Sequence, residues 1–182
     1  RTQIVFLLTS ALVRWQQGES EQAVRRVDRA LEIGRYEGVR ANEAIVAEAA
    51  CWALLAADEP DRAERYLLEY PDPLPARTAN VACRRLLHAL VHLRRGELAD
   101  AEAELETAER LAGETGATIF DIFVCNTRAH LALARRDRSE VVRRAEQVRQ
   151  LAARAGYASY RAEHALLHAA CTDDESWARE HL

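Results

Sequence analysis

The stretch Gly96-Glu-Leu-Ala-Asp-Ala101 decides the fold, because related stretches recur at a regular interval along the chain. Gly18-Glu-Ser-Glu-Gln-Ala23 is an earlier copy, and Asp58-Glu-Pro-Asp-Arg-Ala63 takes the same place between the two. A fourth copy begins at Arg136, where Val141 stands in for the final alanine. A period of about forty residues is typical of helical-repeat proteins, in which each unit is a helix pair. The first residues of the copies, here termed the anchors, are spaced by 40, 38 and 40 residues: Gly18, Asp58, Gly96 and Arg136.

In each unit, the sequence predicts one helix before the anchor, termed helix A, and one after it, termed helix B. Residues suited to a helix N-terminus follow the anchors, and Gly38, Gly116 and Gly156 suit left-handed C-caps. The second helix B is expected to end at Tyr70, because the prolines of residues 71–75 cannot continue it. Small residues recur seven before and five after each anchor, where closely crossing helices need short side chains. They are Ala11, Cys51, Ala89 and Ala129 before the anchors, and Ala23, Ala63, Ala101 and Val141 after them.

The whole chain is therefore predicted to be one all-α domain, a right-handed α–α superhelix of helix pairs. The units fall at about residues 2–38, 41–75, 77–116 and 118–156, with a partial fifth unit at 157–182. No sustained alternation of apolar and polar residues predicts a strand. The cysteines lack C-x-x-C spacing and are expected to be buried free thiols in a reducing cytoplasm: Cys51, Cys83, Cys125 and Cys171.

Composition excludes several classes of function. All 25 basic residues are arginine, so a P-loop and Schiff-base chemistry, which need lysine, are excluded from this chain. The net charge of −4 disfavours a general nucleic-acid surface. The longest apolar run, Ala49–Ala57, is far shorter than a membrane span. A start at Arg1 without methionine is interpreted as a piece of something longer.

The Gly-Glu-x-x-x-Ala turn, with small residues in both helices, resembles the tetratricopeptide repeat. The longer unit, with phrases such as Ala101-Glu-Ala-Glu-Leu-Glu-Thr-Ala-Glu-Arg-Leu-Ala112, resembles the repeat region of large MalT-like, LuxR-family ATP-dependent bacterial regulators. The resemblance implies a cytoplasmic, non-enzymatic sensor domain without a cofactor. DNA and ATP would be bound only by other domains of the parent protein. The alternatives are a stand-alone tetratricopeptide-type scaffold and the activation domain of a pathway-specific antibiotic regulator, and self-association stays open.

Stacked helix pairs predict a concave groove lined by the A helices, which would bind a protein, a peptide or a small effector. The same groove allows the alternative that its aromatic residues only complete packing between units. Arg94, Asn126 and Glu163 would orient a ligand. The repeat register predicts these inward-facing residues: Trp15, Glu48, Trp52, Leu86, Leu90, Arg94, Phe123, Asn126, His130, Tyr160 and Glu163.

Histidine pairs raise the question of a metal. His164, His168 and Cys171 share one helix face and are candidate zinc ligands, but packing within the last helix pair is the preferred interpretation. His88 and His92 form a second such pair, interleaved with leucines. We therefore expect neither a metal nor a catalytic residue. The serines lack a nucleophile motif, and Ser20 and Ser139 are predicted to cap helices.

Overall fold

The computed structural model of the chain describes residues 2–37, 40–56, 58–69 and 78–156. These residues are nearly all helical and contain no strand, which confirms the all-α prediction. The helices are α1 (Thr2–Gln16), α2 (Ser20–Glu37), α3 (Arg40–Ala56), α4 (Pro60–Glu69), α5 (Thr78–Arg95), α6 (Leu98–Thr115), α7 (Thr118–Ala134) and α8 (Arg138–Ala155).

The helices pack in a local pattern. Each helix lies against the next one in the chain, and each odd-numbered helix also lies against the next odd-numbered helix. Contacts of this kind join only neighbouring units, as in repeat proteins. The odd-numbered helices therefore form a continuous layer, and each even-numbered helix packs against the odd-numbered helices next to it in the chain.

The anchors are the turns within each helix pair. All four adopt the left-handed conformation, with φ of 77°, 59°, 78° and 60° in chain order. In every turn the amide after the anchor donates to the carbonyl five residues earlier, at 2.9 Å. This bond is typical of the Schellman motif, which satisfies the last carbonyls of a helix. Asp58 and Arg136 adopt it without glycine, at a cost of about 1–2 kcal/mol each.

The helix ends agree with the sequence predictions in most places. Gly116 and Gly156 are left-handed C-caps as predicted. The prediction for Ser139 is wrong, because the Asp137 carboxylate caps α8 by accepting the Glu140 amide at 3.1 Å. The Ser139 hydroxyl instead donates to Asp137 at 2.8 Å. Gly38, the prolines of residues 71–75 and the side chain of Ser20 lie outside the described residues.

The small residues on either side of the anchors lie in the core, where they are at most 2% exposed. The Cys51 thiol donates to the carbonyl of Ala63 at 3.2 Å, so α3 and α4 approach closely at the predicted place. Two large clusters of buried residues are used below. The first core cluster joins α1–α4 with Leu87 and Val91 of α5, and the second joins α5, α6 and α7.

The cysteines within the described ranges are free thiols. Cys51 and Cys125 are buried as predicted, whereas Cys83 is only partly buried, and Cys171 lies outside those ranges. Burial raises the pKa of Cys51 to about 12, so this thiol stays protonated and unreactive near neutral pH. Among the helices that the structure describes, none combines the length and the apolar character needed to span a bilayer.

Candidate functional site

Three residues at one repeat position form a row along the odd-numbered helices. Trp52, Leu90 and His130 each lie six residues before an anchor, on α3, α5 and α7. All three are partly buried. Because the odd-numbered helices are adjacent, the three side chains follow one another across the layer. We term this set the groove row, and it is the part of the predicted groove that the structure brings together.

Trp52 contacts an aromatic residue that lies two odd-numbered helices further along the chain. Its ring centroid lies 5.5 Å from that of Phe123, with an angle of 41° between the planes. Trp52 is on α3 and Phe123 is on α7, so the rings meet across α5. Trp52 also packs against both core clusters. The two aromatic residues therefore connect the second and fourth units across the third, so packing is one role of these side chains beside the ligand binding that the sequence left open.

Side chains ten residues before the anchors lie deeper in the protein than those of the groove row. Leu86 is only 1% exposed, so it belongs to the core and cannot line a groove. Side-chain oxygens of Glu48 and Asn126, at the same position on α3 and α7, are buried. The Glu48 carboxylate accepts a hydrogen bond from the Cys83 thiol of α5, and burial together with this carboxylate raises the pKa of Cys83. Glu48 thus takes part in the α3–α5 contact.

Arg94 is a predicted groove residue whose charge is accessible to solvent. Its side chain is 51% exposed, and its guanidinium lies 3.9 Å from the carboxylate of the anchor Asp58. An exposed pair at this distance contributes little to stability and leaves the guanidinium open to a ligand. The side chain of Trp15 and all of Tyr160 and Glu163 lie outside the part of the chain that is described.

A possible metal-binding group occurs where the sequence did not predict one. His92, Glu97 and Asp100 have ligand atoms within 4.8 Å of one another. His92 Nδ1 lies 2.6 Å from Glu97 Oε2. Arg14 and Glu19 form an ion pair of the same length at the same repeat positions. Arginine does not ligate metals. The feature that the two turns share is therefore a polar side-chain pair that bridges the turn, and not a metal site.

The other histidine candidates add no ligand to that group. His88 does not belong to the group of His92, Glu97 and Asp100, although burial lowers its pKa and so favours the neutral ring that could ligate a metal. His164, His168 and Cys171 lie beyond residue 156, where the description of the chain ends.

A cleft of about 80 Å³ lies between α6, α7 and α8. Pockets for organic ligands hold about 300–1,000 Å³, so this cleft suits only waters or a very small ion. Its lining combines apolar residues with side chains of positive and of negative charge. The lining residues are Glu102, Arg128, Leu131, Ala132, Arg135, Asp137 and Glu140.

The charges at the cleft are paired with one another. Arg135 donates to Glu102 at 2.6 Å, and Arg128 donates to Glu109 at 2.8 Å. The Arg135–Glu102 pair has a counterpart in the preceding unit, where Arg95 donates to Glu64 at 2.7 Å. Both pairs join an odd-numbered helix to the even-numbered helix before it. The cleft is thus the gap beside an ion-pair network between units.

Comparison of the chain with protein-family models, with curated proteins and with solved structures gave no match. The repeat geometry and the groove row therefore carry the functional argument.

Proposed function

We propose that the chain is a tetratricopeptide-like superhelical repeat domain, the non-enzymatic sensor of a MalT-like, LuxR-family transcriptional regulator. In this proposal a protein partner, a peptide or a small effector binds along the odd-numbered helices. The four anchor turns support the repeat assignment, because they share one backbone conformation and one hydrogen bond. The local packing of the helices supports it as well.

The groove row is the observation that carries the binding proposal. Its three members occupy one repeat position yet differ in chemistry, since Trp52 and Leu90 offer apolar surface and His130 offers a polar ring. Apolar surface with a few polar groups is typical of ligand sites. Arg94, which is half exposed, adds a positive charge near Leu90 on the same helix. The row suits a helix or an extended peptide with apolar side chains and one acidic group.

Binding at the groove row would act by population shift. A ligand that contacts three helices at once favours the arrangement of units in which those contacts form. The parent protein would transmit this preference to its ATP-binding and DNA-binding domains. We place the domain in the cytoplasm, which suits the free thiols of Cys51, Cys83 and Cys125.

His130→Ala tests the proposal with peptides selected by display against the chain. We expect the dissociation constants of these peptides, measured by calorimetry, to rise about tenfold, as for a residue at the centre of an interface. Arg110→Ala is the control, because Arg110 is 64% exposed on α6, away from the groove row. Unfolding curves must show that both variants keep the fold. Equal affinity of the wild type and His130→Ala for every selected peptide would contradict groove binding.

The assignment to a regulator has a test of its own. The reading frame around residues 1–182 should encode a P-loop upstream and a helix-turn-helix downstream. Their absence would favour a stand-alone scaffold, for which the groove row would keep its role. A DNA-binding domain upstream instead would favour the activation domain of an antibiotic regulator.

A further inference from the structure

Trp52 and Phe123 meet within the predicted groove. Trp52 belongs to the groove row on α3, and the repeat register predicts that Phe123 of α7 faces inward as well. The two ring centroids are 5.5 Å apart, although α5 lies between these helices in the layer. To come this close, the two side chains must reach across the inner face of α5. The aromatic pair therefore occupies space over α5 that a ligand of the groove would otherwise use.

Trp52 cannot offer the same surface to a ligand and to Phe123. The indole is partly buried, and it packs against both core clusters in addition to the phenyl ring. The members of the core clusters are buried, whereas Phe123 is only partly buried. Of these contacts, the one with Phe123 is therefore the one that a ligand can replace without opening the core. A ligand that gains apolar contact from Trp52 has to compete with Phe123.

The chemistry of the pair shows what kind of group can compete. Two rings at 5.5 Å with an angle of 41° lie within the range of favourable aromatic pairs. Such pairs contribute more than the area that they bury. An aliphatic side chain in the place of Phe123 would lose this contribution, whereas an aromatic side chain would restore it. Phe123 thus occupies its position against Trp52 as an aromatic side chain of a ligand would.

The neighbouring groove residues need no such exchange. Arg94 is 51% exposed, so its guanidinium can meet an acidic group without displacing an apolar contact. It lies 3.9 Å from the carboxylate of Asp58, in the turn that follows α3. Because Trp52 is near the same end of α3, one ligand can reach both residues.

We propose that a partner of the groove row inserts an aromatic side chain against Trp52 in place of Phe123. This inference rests on the proposed function of the groove row and specifies the chemistry of the partner. The partner is a peptide segment with an aromatic residue for Trp52 and an acidic residue for Arg94. In the free chain, Phe123 holds the position of the partner's ring and lowers the affinity for it.

The exchange also gives binding a structural consequence. The aromatic pair joins the second and fourth units across the third. A partner that replaces Phe123 removes this contact, so it favours arrangements in which the second and fourth units are less tightly held together. The internal pair is thus an inhibitory contact that the partner releases.

Peptides selected from a random display library against the whole chain test the inference. They should contain an aromatic residue, and its replacement by leucine should raise the dissociation constant about tenfold, as for an aromatic residue at the centre of an interface. Calorimetry measures this change. The same replacement should have little effect on binding to Trp52→Leu, because the partner ring of the peptide is then absent. Such a double-mutant cycle isolates the contact between the two rings.

Phe123→Leu tests the competition within the chain. It should lower the dissociation constants of the same peptides about threefold, because it removes the aromatic pair that opposes binding. Phe120→Leu is the matched control. Phe120 is also on α7 and packs against the second core cluster, but among the described residues its ring forms no pair with Trp52. It should leave the dissociation constants unchanged, and unfolding curves must show that both variants keep the fold.

Fluorine NMR follows the exchange directly. The chain has three phenylalanines, so labelling with para-fluorophenylalanine gives a small set of resonances. Trp52→Leu identifies the resonance of Phe123, because the ring current of the indole is lost. A saturating peptide should shift this resonance in the direction that Trp52→Leu shifts it, whereas the resonance of Phe120 should stay in place.

Three outcomes overturn the inference. The selected peptides lack an aromatic residue, the resonance of Phe123 does not move on binding, or Phe123→Leu binds the peptides no more tightly than Phe120→Leu does. His130→Ala judges the proposed function separately. Peptides that depend on His130 but lack an aromatic residue support groove binding and overturn only the aromatic exchange. Peptides that depend on Trp52 and an aromatic residue, but not on His130, support the exchange and contradict the wider groove row.

Discussion

The contacts of α3 and of α7 with their preceding units use the same repeat positions with opposite chemistry. Eight residues before the anchor, α3 has Ala50, which is 2% exposed, whereas α7 has Arg128. Five residues before the anchor, α3 has Ala53 and α7 has Leu131, and both are buried. Alanine lets two helix backbones approach closely, whereas arginine spans a wider gap and bonds to acids on the other side.

The difference shows how a repeat keeps its geometry while its contacts vary. The anchors and the small residues around them are shared by all units, because they set the turn and the crossing within a helix pair. The residues at the contact between helix pairs can vary more, since either close apolar packing or an ion-pair network can stabilise that contact. The α3 contact should therefore resist salt and acid, and the α7 contact should depend on both.

The strongest test of this comparison exchanges the chemistry at the alanine contact. Ala50→Arg places at α3 the residue that α7 uses at the same position. We expect a loss of about 3–5 kcal/mol in the free energy of unfolding, because the guanidinium would be buried without an acid beside it. Urea denaturation measures the loss.

Ala103→Arg is the control for this exchange. Ala103 is exposed on α6, where a surface substitution should change stability by less than about 0.5 kcal/mol. If Ala50→Arg cost no more than Ala103→Arg, the α3 contact would not be the tight alanine contact that its burial indicates.

The second test removes the arginine from the α7 contact. Arg128 is 14% exposed and lies 2.8 Å from Glu109 and 3.8 Å from Glu102. Arg128→Ala should cost about 2 kcal/mol, the effect of losing hydrogen bonds to a charged group that is mostly buried. Urea denaturation at low salt measures the cost.

Arg110→Ala provides the comparison for Arg128→Ala. Arg110 pairs with Glu114 on the surface of α6, where it is 64% exposed, so its loss should cost less than about 0.5 kcal/mol. Equal costs for the two variants would mean that the network contributes no more than a surface pair.

The repeat turns could be predicted from the sequence because they depend on local residues. The period located Asp58 and Arg136 as anchors although neither is glycine, and both adopt the left-handed conformation. The cap of α8 was missed because Asp137 and Ser139 are two residues apart and both suit a helix N-terminus. Only the backbone path decides which of them accepts the Glu140 amide.

The candidate site could be predicted only in part. The register placed Trp52, Leu90 and His130 among the inward-facing residues of the predicted groove. It could not show that Trp52 reaches Phe123, because that contact depends on how three odd-numbered helices curve relative to one another. It also missed the pairing of His92 with Glu97, which becomes visible only once the turn at Gly96 brings the two side chains together.

The smallest expected effect concerns acid and the ion pairs within α8, which lie beside the network between units. Arg143 and Arg144 donate to the Glu140 carboxylate and hold its pKa at about 2, below its ordinary value of 4.5. A lowered pKa in the folded state means that the ionised form stabilises the fold. The contribution is therefore complete above about pH 4.5 and is lost as the pH falls toward 2.

Glu140→Gln isolates this contribution, because glutamine does not titrate. The side chain of Glu140 is 30% exposed and Arg143 is 58% exposed, so solvent screening should limit the effect to less than about 1 kcal/mol. The wild type should be more stable than the variant at pH 7, and the difference should vanish as the pH approaches 2. A difference that stayed constant from pH 7 to pH 3 would contradict the lowered pKa, because a carboxyl group adds no pH dependence to stability when its pKa is the same in the folded and unfolded chain.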